Sequence, residues 1–442
     1  MDVEARLDAF RRREALIGVV GLGYVGLPLS LAAAGAGFRV LGFDVNGARV
    51  AALNAGEGAF RHIAPDTLRG AIAAGRFEAT AAMGRLAEPD AILICVPTPL
   101  TRHREPDLSF VEATARSVAA ALRPGQLVVL ESTTWPGTTL EIVKPILEAT
   151  GFRSGRDFFL AYSPEREDPG NASFDTARIP KVIGGDGAEA LALADALYGA
   201  FVVRTVPVSS TGAAEAVKLT ENIFRAVNIA LVNELKLVLD AMGLDVWEVI
   251  DAAATKPFGF MPFQPGPGLG GHCIPIDPFY LAWKAREFDV AARFIELAGD
   301  VNTRMPYHVV ERLAQALDRI AGRAFTGARI LVLGLAYKRD VDDVRESPAL
   351  KLMELIEARG ARAAYHDPYV PEIPATREHP GLAGRRSVPL TPEVLSVHDA
   401  VLLATDHGCF DHDMIAQHAA VIVDTRNALS RHGVSAPHIV KA

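Results

Sequence analysis

The chain has 442 residues, of which 50% are hydrophobic and 22% are charged, and its formal net charge is −8. A chain of this length is expected to form two or three domains, and this composition is typical of a packed protein rather than a disordered one. The acidic balance argues against a nucleic-acid partner bound through a broad basic surface.

The sequence also argues against export and membrane insertion. Residues 1–14, MDVEARLDAFRRRE, are charged throughout and do not resemble a secretory signal, and we expect this N-terminal extension to form an amphipathic helix. No uncharged apolar stretch reaches the roughly eighteen residues of a membrane span. The three cysteines lie far apart and form no CxxC pair or disulfide framework. A reducing, cytoplasmic location is therefore expected.

The first chemical motif is a glycine-rich turn near the N-terminus. An apolar segment, 16–20, leads into 21-GLGYVG-26, which is followed by a helical segment at 27–34 and a second strand, 38-FRVLGFD-44. This order of strand, glycine turn, helix and strand with a terminal acid is the context in which GxGxxG binds a dinucleotide. A glycine turn alone would be weak evidence, since such turns also occur for structural reasons.

Each residue of the motif has a separate physical task. Gly21 permits the tight turn, Gly23 lets the backbone approach a pyrophosphate, and Gly26 lets the helix pack against the strand. Asp44 is placed to accept hydrogen bonds from a ribose diol and would repel a 2′-phosphate. NAD is therefore favoured over NADP, although Arg49 lies nearby.

Strands and helices continue to alternate after this motif. Strands are predicted at 91-AILICVPTP-99 and 127-LVVLEST-133, with a helix at 108–122 between them. This alternation predicts a parallel, doubly wound sheet, whose ligands bind beyond the C-terminal ends of the strands. Thr98 and the segment 132-STT-134, which contains Thr133, would lie there, and helix capping is the alternative interpretation for these threonines.

A long helix is predicted at 213–242, where no proline or glycine interrupts the apolar periodicity. At about 1.5 Å per residue it would span roughly 45 Å, enough to join two domains. Lys218 and Asn222 are four residues apart and therefore share one face, where an ammonium and an amide together would hold an oxyanion. The alternative is a solvated lysine beside an ordinary polar residue.

The segment 266-GPGLGGHCIPIDP-278 places one cysteine at the end of a glycine run. Asp277 is predicted to cap a helix through 279–288, with Pro278 at its first position. Cys273 would stand just outside that helix N-terminus, where N–H groups and the helix dipole favour the thiolate that a nucleophile requires. Simple packing in a turn is the alternative.

The other cysteines and His272 carry weaker signals. Cys95 lies in the apolar segment ILICV and is interpreted as a packing residue, and Cys409 has no nearby base and is interpreted as structural. His272 precedes Cys273 directly, and adjacent side chains in an extended loop point apart, so His272 is not assigned as a base.

Glu165 is a further candidate, in the segment 162-YSPEREDPG-170. It follows a predicted strand end and lies in a loop beside Arg166. The alternative to a functional role is a salt-bridged loop.

The last third of the chain repeats the α/β pattern. Its predicted elements are strands at 329–337, 361–368, 400–405 and 420–425, a loop at 338–348 and a helix at 349–360. Because 334-GLAYKR-339 lacks the full glycine fingerprint, we expect a ligand other than a second NAD. Lys338, Arg339 and Arg345 offer cations suited to a diphosphate. The alternative is solvated charge among Asp340, Asp342 and Asp343.

Taken together, these motifs resemble those of the UDP-glucose/GDP-mannose dehydrogenase family. The segments that carry the resemblance, in the family's order, are 21-GLGYVG-26, 131-ESTTWPGTT-139, 163-SPEREDPG-170, 218-KLTEN-222, 268-GLGGHCIPIDP-278 and 334-GLAYKRDVDDVRESP-348. The resemblance covers nearly the whole chain apart from residues 1–14. It implies two Rossmann-like, doubly wound α/β domains joined by a long central helix. The implied domains are an NAD-binding domain at 15–210, a central helical region at 211–322 and a UDP-sugar-binding domain at 323–442.

The resemblance also implies a reaction, the oxidation of a nucleotide sugar at C6 from alcohol to carboxylate with two NAD+. Cys273 resembles the family's nucleophile, which forms a thiohemiacetal and then a thioester that water hydrolyses. Lys218 and Asn222 resemble the residues that hold the oxyanion. Asp277, with Thr133, resembles the pair that positions water, and Glu165 matches a carboxylate implicated in hydrolysis of the thioester.

Binding residues, partners and oligomeric state follow from the same resemblance. The implied cofactor-binding residues are Gly21, Gly23, Tyr24, Val25, Gly26, Asp44, Arg49, Thr98, Thr133 and Arg345, and the implied substrate-binding residues are Glu165, Arg166, Lys218, Asn222, Gly270, Tyr337 and Lys338. The long helix resembles the family's dimer core, which implies a homo-oligomer of two or more subunits. No metal and no membrane or nucleic-acid partner is expected.

The surroundings of the cysteine bear on the substrate. Enzymes of the family that act on UDP-glucose typically carry GGSCFPKD, whereas this chain has His272, Ile274 and Ile276 at the variable positions. The form GGHCIPIDPFYL resembles the branch that acts on UDP-N-acetylhexosamines, UDP-N-acetylglucosamine (UDP-GlcNAc) first. UDP-glucose and the N-acetylgalactosamine and N-acetylmannosamine sugars (UDP-GalNAc and UDP-ManNAc) are alternatives. Two different classes of protein compete with this interpretation: a non-catalytic nucleotide-sugar or NAD-binding protein, and a one-step alcohol dehydrogenase or epimerase.

Overall fold

The computed structural model describes residues 2–58, 60, 63–101, 105–166, 177–271 and 273–442, with the side chain of Cys273 left aside. The chain divides into two compact units. The first contains Met1–Glu221 and Phe279–Ala291, and the second contains Asn222–Pro278 and Ala292–Ala442. Each unit has its own sheet, so the expectation of a two-sheet α/β protein is confirmed. No helix in the described ranges has the length and apolar character needed to cross a membrane.

The first unit, over its described residues, is built on an eight-stranded sheet with the order β3-β2-β1-β4-β5-β6-β7-β8. The strands are β1 (Leu16–Val20), β2 (Arg39–Phe43), β3 (Phe77–Thr80), β4 (Ala91–Ile94), β5 (Leu127–Leu130), β6 (Phe159–Tyr162), β7 (Lys181–Gly185) and β8 (Thr205–Pro207). Strands β1 to β6 are parallel, but β7 pairs with β6 in the antiparallel sense, a reversal that the sequence did not predict. The central strands are buried, as expected for a sheet covered on both faces.

The helices of the first unit cover this sheet. They are α1 (Val3–Arg12), α2 (Gly26–Ala36), α3 (Gly47–Asn54), α4 (Pro65–Ala73), α5 (Ser109–Ala121), α6 (Lys144–Glu148) and α7 (Ala188–Gly199), with a 3-10 turn at Met83–Ala87 and a π turn at Thr139–Val143. The expected amphipathic N-terminal helix is confirmed as α1. Asp2 accepts a hydrogen bond from the Ala5 N–H at its start, and Leu7 and Phe10 are buried in the core.

The long central helix is confirmed as α8 (Thr211–Ala241), which belongs to the first unit up to Glu221 and to the second unit thereafter. Its apolar residues are divided between buried and exposed positions. Those exposed include Phe224, Leu231, Leu235 and Val238, which recur at three-, four- and seven-residue intervals and so form one stripe.

The second unit contains a five-stranded parallel sheet, within its described residues, with the order β10-β9-β11-β12-β13. The strands are β9 (Arg329–Leu333), β10 (Arg362–His366), β11 (Ala400–Leu403), β12 (Ile422–Asp424) and β13 (Ile439–Lys441). The remaining helices of the chain are α9 (Val246–Ala254), α10 (Cys273–Ala285), α11 (Arg293–Ala321), α12 (Pro348–Ala358), α13 (Pro392–Val397), α14 (His412–His418) and α15 (Ala428–Arg431), with 3-10 turns at Arg286–Phe288 and Pro380–Leu382. The sequence predicted this sheet apart from β13.

The predicted start of α10 was wrong. The helix begins at Cys273 rather than after Asp277, so Asp277 is not its N-cap and Pro278 lies inside the helix. The helix tolerates both of its prolines. Pro275 lies in the first turn, where N–H groups have no partner within the helix, so it removes no helical hydrogen bond. Pro278 removes only the bond to the Ile274 carbonyl. Asp277 instead presents a buried carboxylate from the second turn.

Candidate active site

The glycines of the first turn differ in what constrains them. A Cβ on Gly21, whose φ is +94°, would lie 2.5 Å from the carbonyl oxygen of Cys95, and a Cβ on Gly26 would overlap the Gly21 carbonyl oxygen. Packing within the protein therefore requires both glycines. A Cβ on Gly23 would meet nothing within 4 Å, so the space beside it is open to a ligand that approaches the backbone.

Asp44 follows β2 and retains acceptor capacity for a ribose. Its Oδ2 accepts a hydrogen bond from the Leu22 N–H at 3.1 Å, and its Oδ1 accepts one from the Asn46 N–H at 2.9 Å. Because each carboxylate oxygen has two lone pairs, both oxygens retain one for a diol. The residues around the turn therefore fit the adenosine ribose of NAD.

Arg49 is held on the same turn. Its Nε donates to the Leu22 carbonyl at 2.8 Å, and its guanidinium lies 4.7 Å from the centre of the Phe60 ring. Burial lowers the pKa of Arg49, although Asp44 opposes this shift. The Nη2 atom is buried and has no hydrogen-bond partner within the described residues, so it can donate to an oxygen of a bound cofactor.

Tyr24 and Val25 complete the predicted cofactor turn. The ring of Tyr24 stacks on that of Phe60, with the centroids 3.9 Å apart, and Val25 precedes the first residue of α2. The N-terminus of α2 therefore lies directly after the turn, as required for a phosphate held by a helix end.

Thr98 and Thr133 lie beyond β4 and β5, at the sheet edge where the sequence predicts that ligands bind. Thr98 is buried, and its carbonyl accepts a short hydrogen bond from the hydroxyl of Tyr280. Thr133 is half-buried. Neither residue caps a helix in the described part of the chain, so the capping alternative is wrong for both.

Thr134 lies in the predicted ligand-edge segment 132-STT-134, but Thr133 and not Thr134 was selected from it as a site residue. Its hydroxyl and the indole N–H of Trp135 are buried without a hydrogen-bond partner among the described residues. Such groups are costly unless a ligand or water satisfies them. The sequence 132-STT-134 alone does not indicate which of Thr133 and Thr134 faces a ligand.

Glu165 is paired with a different cation from the one that its loop suggested. Its Oε2 lies 3.2 Å from Nζ of Lys181, and its Oε1 accepts a hydrogen bond from the Arg166 N–H at 2.7 Å. The guanidinium of Arg166 pairs with Glu221 at 2.6 Å. Sequence reasoning missed Lys181 because the antiparallel pairing of β6 and β7 brings it to Glu165.

In the second unit, Asn222 and Asp277 form a direct contact. The amide nitrogen of Asn222 donates to Asp277 Oδ2 at 2.6 Å, and both side chains are buried. This bond joins α8 to the first turns of α10, the helix that Cys273 begins. The side chain of Cys273 and all of His272 lie outside the described residues.

Lys218 lies one turn before Asn222 on α8 and is only 8% exposed, so the solvated-lysine alternative is wrong. Within the described part of the chain, no ion pair or hydrogen bond is formed by its ammonium group. A buried ammonium of this kind is suited to stabilising negative charge on a ligand.

The glycine run before Cys273 is required by close packing against another loop. A Cβ on Gly270 would lie 2.7 Å from Cβ of Tyr337, and Gly271, with a φ of +80°, donates its N–H to the Arg345 carbonyl at 3.1 Å. Side chains larger than hydrogen at Gly270 or Gly271 would collide with Tyr337, which precedes the loop at 338–348. The close approach of this loop thus explains the glycines.

The start of the run is fixed by an amide relay that the sequence did not reveal. Asn233 accepts a hydrogen bond from the Gly266 N–H at 3.0 Å and donates one to Asn302 at 2.8 Å. Asn302 donates in turn to the Ala226 carbonyl at 3.1 Å. Helices α8 and α11 thus hold the loop that leads to Cys273.

The second sheet has an acid, Asp367, at the position that corresponds to Asp44, but this acid is fully occupied. Its oxygens accept hydrogen bonds from the N–H groups of Leu335, Ala336, Tyr369 and Val370 and from His407 Nε2. Five donors leave no lone pair for a ribose diol. This geometry supports the prediction that the second unit binds something other than a second NAD.

The cations of the second-unit loop are largely paired within the loop. Arg345 is bidentate to Asp343, with Nη2 2.6 Å from Oδ2, and Arg339 contacts Asp340 and Asp406 at 3.3 Å. Lys338 is half-buried. Arg339 and Arg345 are therefore each paired with acidic residues of the second unit.

One group of side chains in the described ranges has the composition of a metal site: Asp406, His412 and His432. His412 Nε2 lies 2.8 Å from Asp406 Oδ1, and the two imidazole rings are stacked 3.9 Å apart at 14°. A metal must lie in the plane of each ring that binds it. Because the two rings are stacked face to face 3.9 Å apart, one ion cannot lie in the planes of both. The geometry fits His412 stacked on His432 and hydrogen-bonded to Asp406.

Three consecutive parts of the chain match the UDP-glucose/GDP-mannose dehydrogenase family. Residues 15–202 match its NAD binding domain, residues 212–304 its central domain, and residues 331–431 its UDP binding domain. Together they account for most of the chain and leave out the helix α1.

Individual relatives agree with this match. The chain is 36% identical to an NDP-N-acetyl-D-galactosaminuronic acid dehydrogenase of Ralstonia nicotianae, over 95% of this chain and 97% of the relative. It is 35% identical to a UDP-N-acetyl-D-glucosamine 6-dehydrogenase of Pseudomonas aeruginosa, over 90% and 92%. The solved UDP-D-ManNAc dehydrogenase of Pyrococcus horikoshii superimposes with a TM-score of 0.85 at 35% identity, over 96% of this chain and 98% of that chain. The chain therefore belongs to the UDP-glucose/GDP-mannose dehydrogenase family and is an NAD-dependent nucleotide-sugar dehydrogenase.

Proposed function

We propose that this enzyme oxidises the C6 alcohol of a UDP-N-acetylhexosamine to a carboxylate, with UDP-GlcNAc as its substrate. The observation that carries the proposal is the 2.6 Å hydrogen bond between Asn222 and Asp277. It joins Asn222, the amide on α8 that is proposed to hold the oxyanion, to the helix that begins with Cys273, and this supports a covalent mechanism.

NAD+, when bound, accepts the hydride that leaves C6. Gly23, Asp44 and Arg49 are the residues proposed to hold it, through the open space at Gly23, the spare lone pairs of Asp44 and the unpaired Nη2 of Arg49. Thr98, Thr133 and Arg345 are proposed as further cofactor contacts.

Lys218 and Asn222 are proposed to stabilise the negative charge that develops on the C6 oxygen. An ammonium about 4 Å from a full negative charge contributes about 4 kcal/mol at an effective dielectric constant near 20. Their burial supports this role, because fixed donors act most strongly where water is excluded. Asp277 and Thr133 are proposed to position the water that takes up the alcohol proton.

Cys273 is proposed as the covalent nucleophile. Its thiolate adds to the C6 aldehyde to give a thiohemiacetal, and loss of a second hydride leaves a thioester. Water then forms the new C–O bond, the C–S bond breaks, and the sulfur leaves as a thiolate while Glu165 takes a proton from the water. The N-terminus of α10 supports the thiolate, since Cys273 is its first residue.

The second unit is proposed to hold the UDP portion through Gly270, Tyr337 and Lys338, and Arg166 of the first unit is proposed as a further substrate contact. The packing of Gly270 on Tyr337 supports one rigid surface formed by the two loops. Because the oxygens of Asp367 already accept hydrogen bonds from the protein, we expect a ligand that does not donate hydrogen bonds to this carboxylate.

The choice of sugar rests on the pattern GGHCIPIDPFYL and on the relatives. The three relatives from Ralstonia, Pseudomonas and Pyrococcus carry names of 2-acetamido sugars or acids, which supports an acetamido substrate over UDP-glucose. A second candidate is UDP-ManNAc, which is favoured by the close superposition on the dehydrogenase of Pyrococcus horikoshii.

A homo-oligomer is also proposed, with the exposed stripe on α8 as its contact. Phe224, Leu231, Leu235 and Val238 would leave water on association, and apolar area contributes about 25 cal/mol per Å² buried. Sedimentation of the purified protein would show a dimer or larger species, whereas a monomer at all concentrations would contradict this.

The substrate proposal is tested by incubating the purified protein and NAD+ with UDP-GlcNAc, UDP-ManNAc, UDP-GalNAc and UDP-glucose in parallel. We expect the highest kcat/KM with UDP-GlcNAc and the lowest with UDP-glucose. A preference for UDP-ManNAc or UDP-GalNAc would replace the proposed epimer, and a preference for UDP-glucose would overturn the acetamido assignment.

A further inference from the structure

Glu165 belongs to a buried network of four side chains in the first unit. Nζ of Lys181 lies 2.6 Å from Glu131 Oε2 and 3.2 Å from Glu165 Oε2. The other oxygen of Glu131 accepts a short hydrogen bond from the hydroxyl of Tyr198. Two carboxylates therefore share one ammonium group, and Lys181 is only 3% exposed.

The strand order explains how these residues meet. Glu131 follows β5 and Glu165 follows β6, whereas Lys181 is the first residue of β7. Because β7 runs antiparallel to β6, its first residue lies at the edge where β5 and β6 end. Ligands of parallel α/β sheets bind at this edge.

The charge balance of the network is unusual for a purely structural ion pair. Lys181 and Glu131 alone would be neutral, but Glu165 adds a second negative charge that burial opposes. Burial lowers the pKa of Lys181, but the two carboxylates outweigh this effect and raise it overall. Burial also raises the pKa of Glu131, and Lys181 opposes that shift, so the ammonium group is what favours ionised carboxylates in this network.

We propose that Lys181 is a positioning residue that holds Glu165 ionised and in one orientation for hydrolysis of the thioester. The inference rests on the proposed function, which gives this step to Glu165. Lys181 binds one oxygen of Glu165 and the Arg166 N–H binds the other, so the carboxylate is fixed from two sides. Glu131 in turn fixes Lys181, and Tyr198 fixes Glu131.

The test replaces the ammonium and follows the hydrolysis step. In Lys181→Met, Glu165 loses the ammonium group of Lys181, and a carboxylate pKa rises by about one to three units when a close cation is lost. We expect rapid mixing with NAD+ and UDP-GlcNAc, or the epimer that the wild type oxidises fastest, to give a burst of NADH. We expect slow steady-state turnover after the burst. The acid limb of the pH profile of this turnover should move to higher pH by about one to three units. Intact-mass analysis should detect the covalent acyl adduct.

Two further variants keep the test decisive if Lys181→Met does not fold. The double variant Glu131→Gln with Lys181→Met leaves only Glu165 charged, so the network keeps its net charge of −1 and should show the same burst. Lys181→Arg retains the cation and should restore turnover and the acid limb. As a matched control, Lys144→Met removes another lysine–carboxylate pair of the first unit, to Asp186 at 2.8 Å, and should give no burst.

Glu165→Gln separates failure of this inference from failure of the proposed function. If Glu165→Gln hydrolyses the thioester at the wild-type rate, the role assigned to Glu165 is wrong. If Glu165→Gln accumulates the adduct but the Lys181 variants show no burst and an unmoved acid limb, the positioning inference is overturned and the proposed function stands. Lower thermal stability without a burst would likewise reduce Lys181 to a structural residue and overturn the inference.

Discussion

The contrast between Gly23 and Gly26 gives a test that separates folding from cofactor binding. Both belong to the same six-residue turn, and alanine is the smallest change at either. A methyl group on Gly23 would enter open space, whereas a methyl group on Gly26 would overlap the Gly21 carbonyl oxygen. Gly23→Ala should therefore fold normally, and Gly26→Ala should not.

The magnitudes follow from these contacts. Gly23→Ala removes freedom from the unfolded chain, which stabilises a protein by about 0.4–1 kcal/mol where the backbone allows it and raises Tm by about 1–4 °C in a domain of this size. If the open space belongs to the pyrophosphate, the methyl group overpacks it by about 1–3 kcal/mol. That penalty weakens NAD+ binding by about 5- to 150-fold. Gly26→Ala overpacks the fold itself by about 1–3 kcal/mol and should lower Tm by about 2–12 °C.

Differential scanning fluorimetry and isothermal titration with NAD+ measure the two effects. Gly35 provides the matched control, because it lies in α2, has open space around its Cβ position and takes no part in the turn. Gly35→Ala should leave NAD+ affinity unchanged. Unaltered NAD+ affinity in Gly23→Ala, with intact folding, would refute the placement of the pyrophosphate at this turn.

Three other variants test separate parts of the account. Gly270→Ala pushes a methyl group against Cβ of Tyr337, so it should raise KM for the UDP-sugar several-fold. The control Gly381→Ala places its methyl group in open space and should leave KM unchanged. Equal KM values for the two variants in steady-state assays would contradict a shared UDP surface. Cys273→Ser should keep NAD+ affinity and lose formation of the sugar acid, and undiminished acid in a chromatographic assay would remove the covalent mechanism. Burial raises the pKa of Glu215 to about 7, so the stability that its protonated carboxyl group contributes is lost as pH rises from about 4.5 to about 7. Glu215→Gln should therefore flatten the fall in Tm over this range. An unchanged slope of Tm against pH would contradict the raised pKa.

Local patterns were sufficient for the parts of the fold that depend on neighbouring residues. The turn at Gly21 and the helix α8 follow from glycine spacing and periodicity, and the structure confirms both. The predicted strand at 91–99 is shorter than expected, because β4 ends at Ile94. The start of α10 did not follow, because local rules place a helix boundary at Pro278. In the structure α10 begins at Cys273, five residues before Pro278. Its second turn carries Asp277, which accepts a hydrogen bond from Asn222, a residue distant in the sequence.

Lys181 and Asn233 were missed for one reason, since each acquires its partners through tertiary pairing. Lys181 reaches Glu165 only because β7 runs antiparallel to β6, and no local signal in a predicted parallel sheet indicates that reversal. Asn233 looks like any polar residue on a helix until its contacts with Gly266 and Asn302 are known. Motifs thus indicate which side chains react, whereas the residues that hold them in place emerge only from the fold.

The number of NADH molecules formed per sugar consumed tests the central claim most directly. With limiting UDP-GlcNAc, or the epimer that the enzyme prefers, and excess NAD+, the absorbance of NADH at completion gives this ratio, and chromatography identifies the product. A covalent double oxidation predicts two NADH and one carboxylate for every sugar. One NADH per sugar, with an aldehyde or ketone as the product, would contradict it.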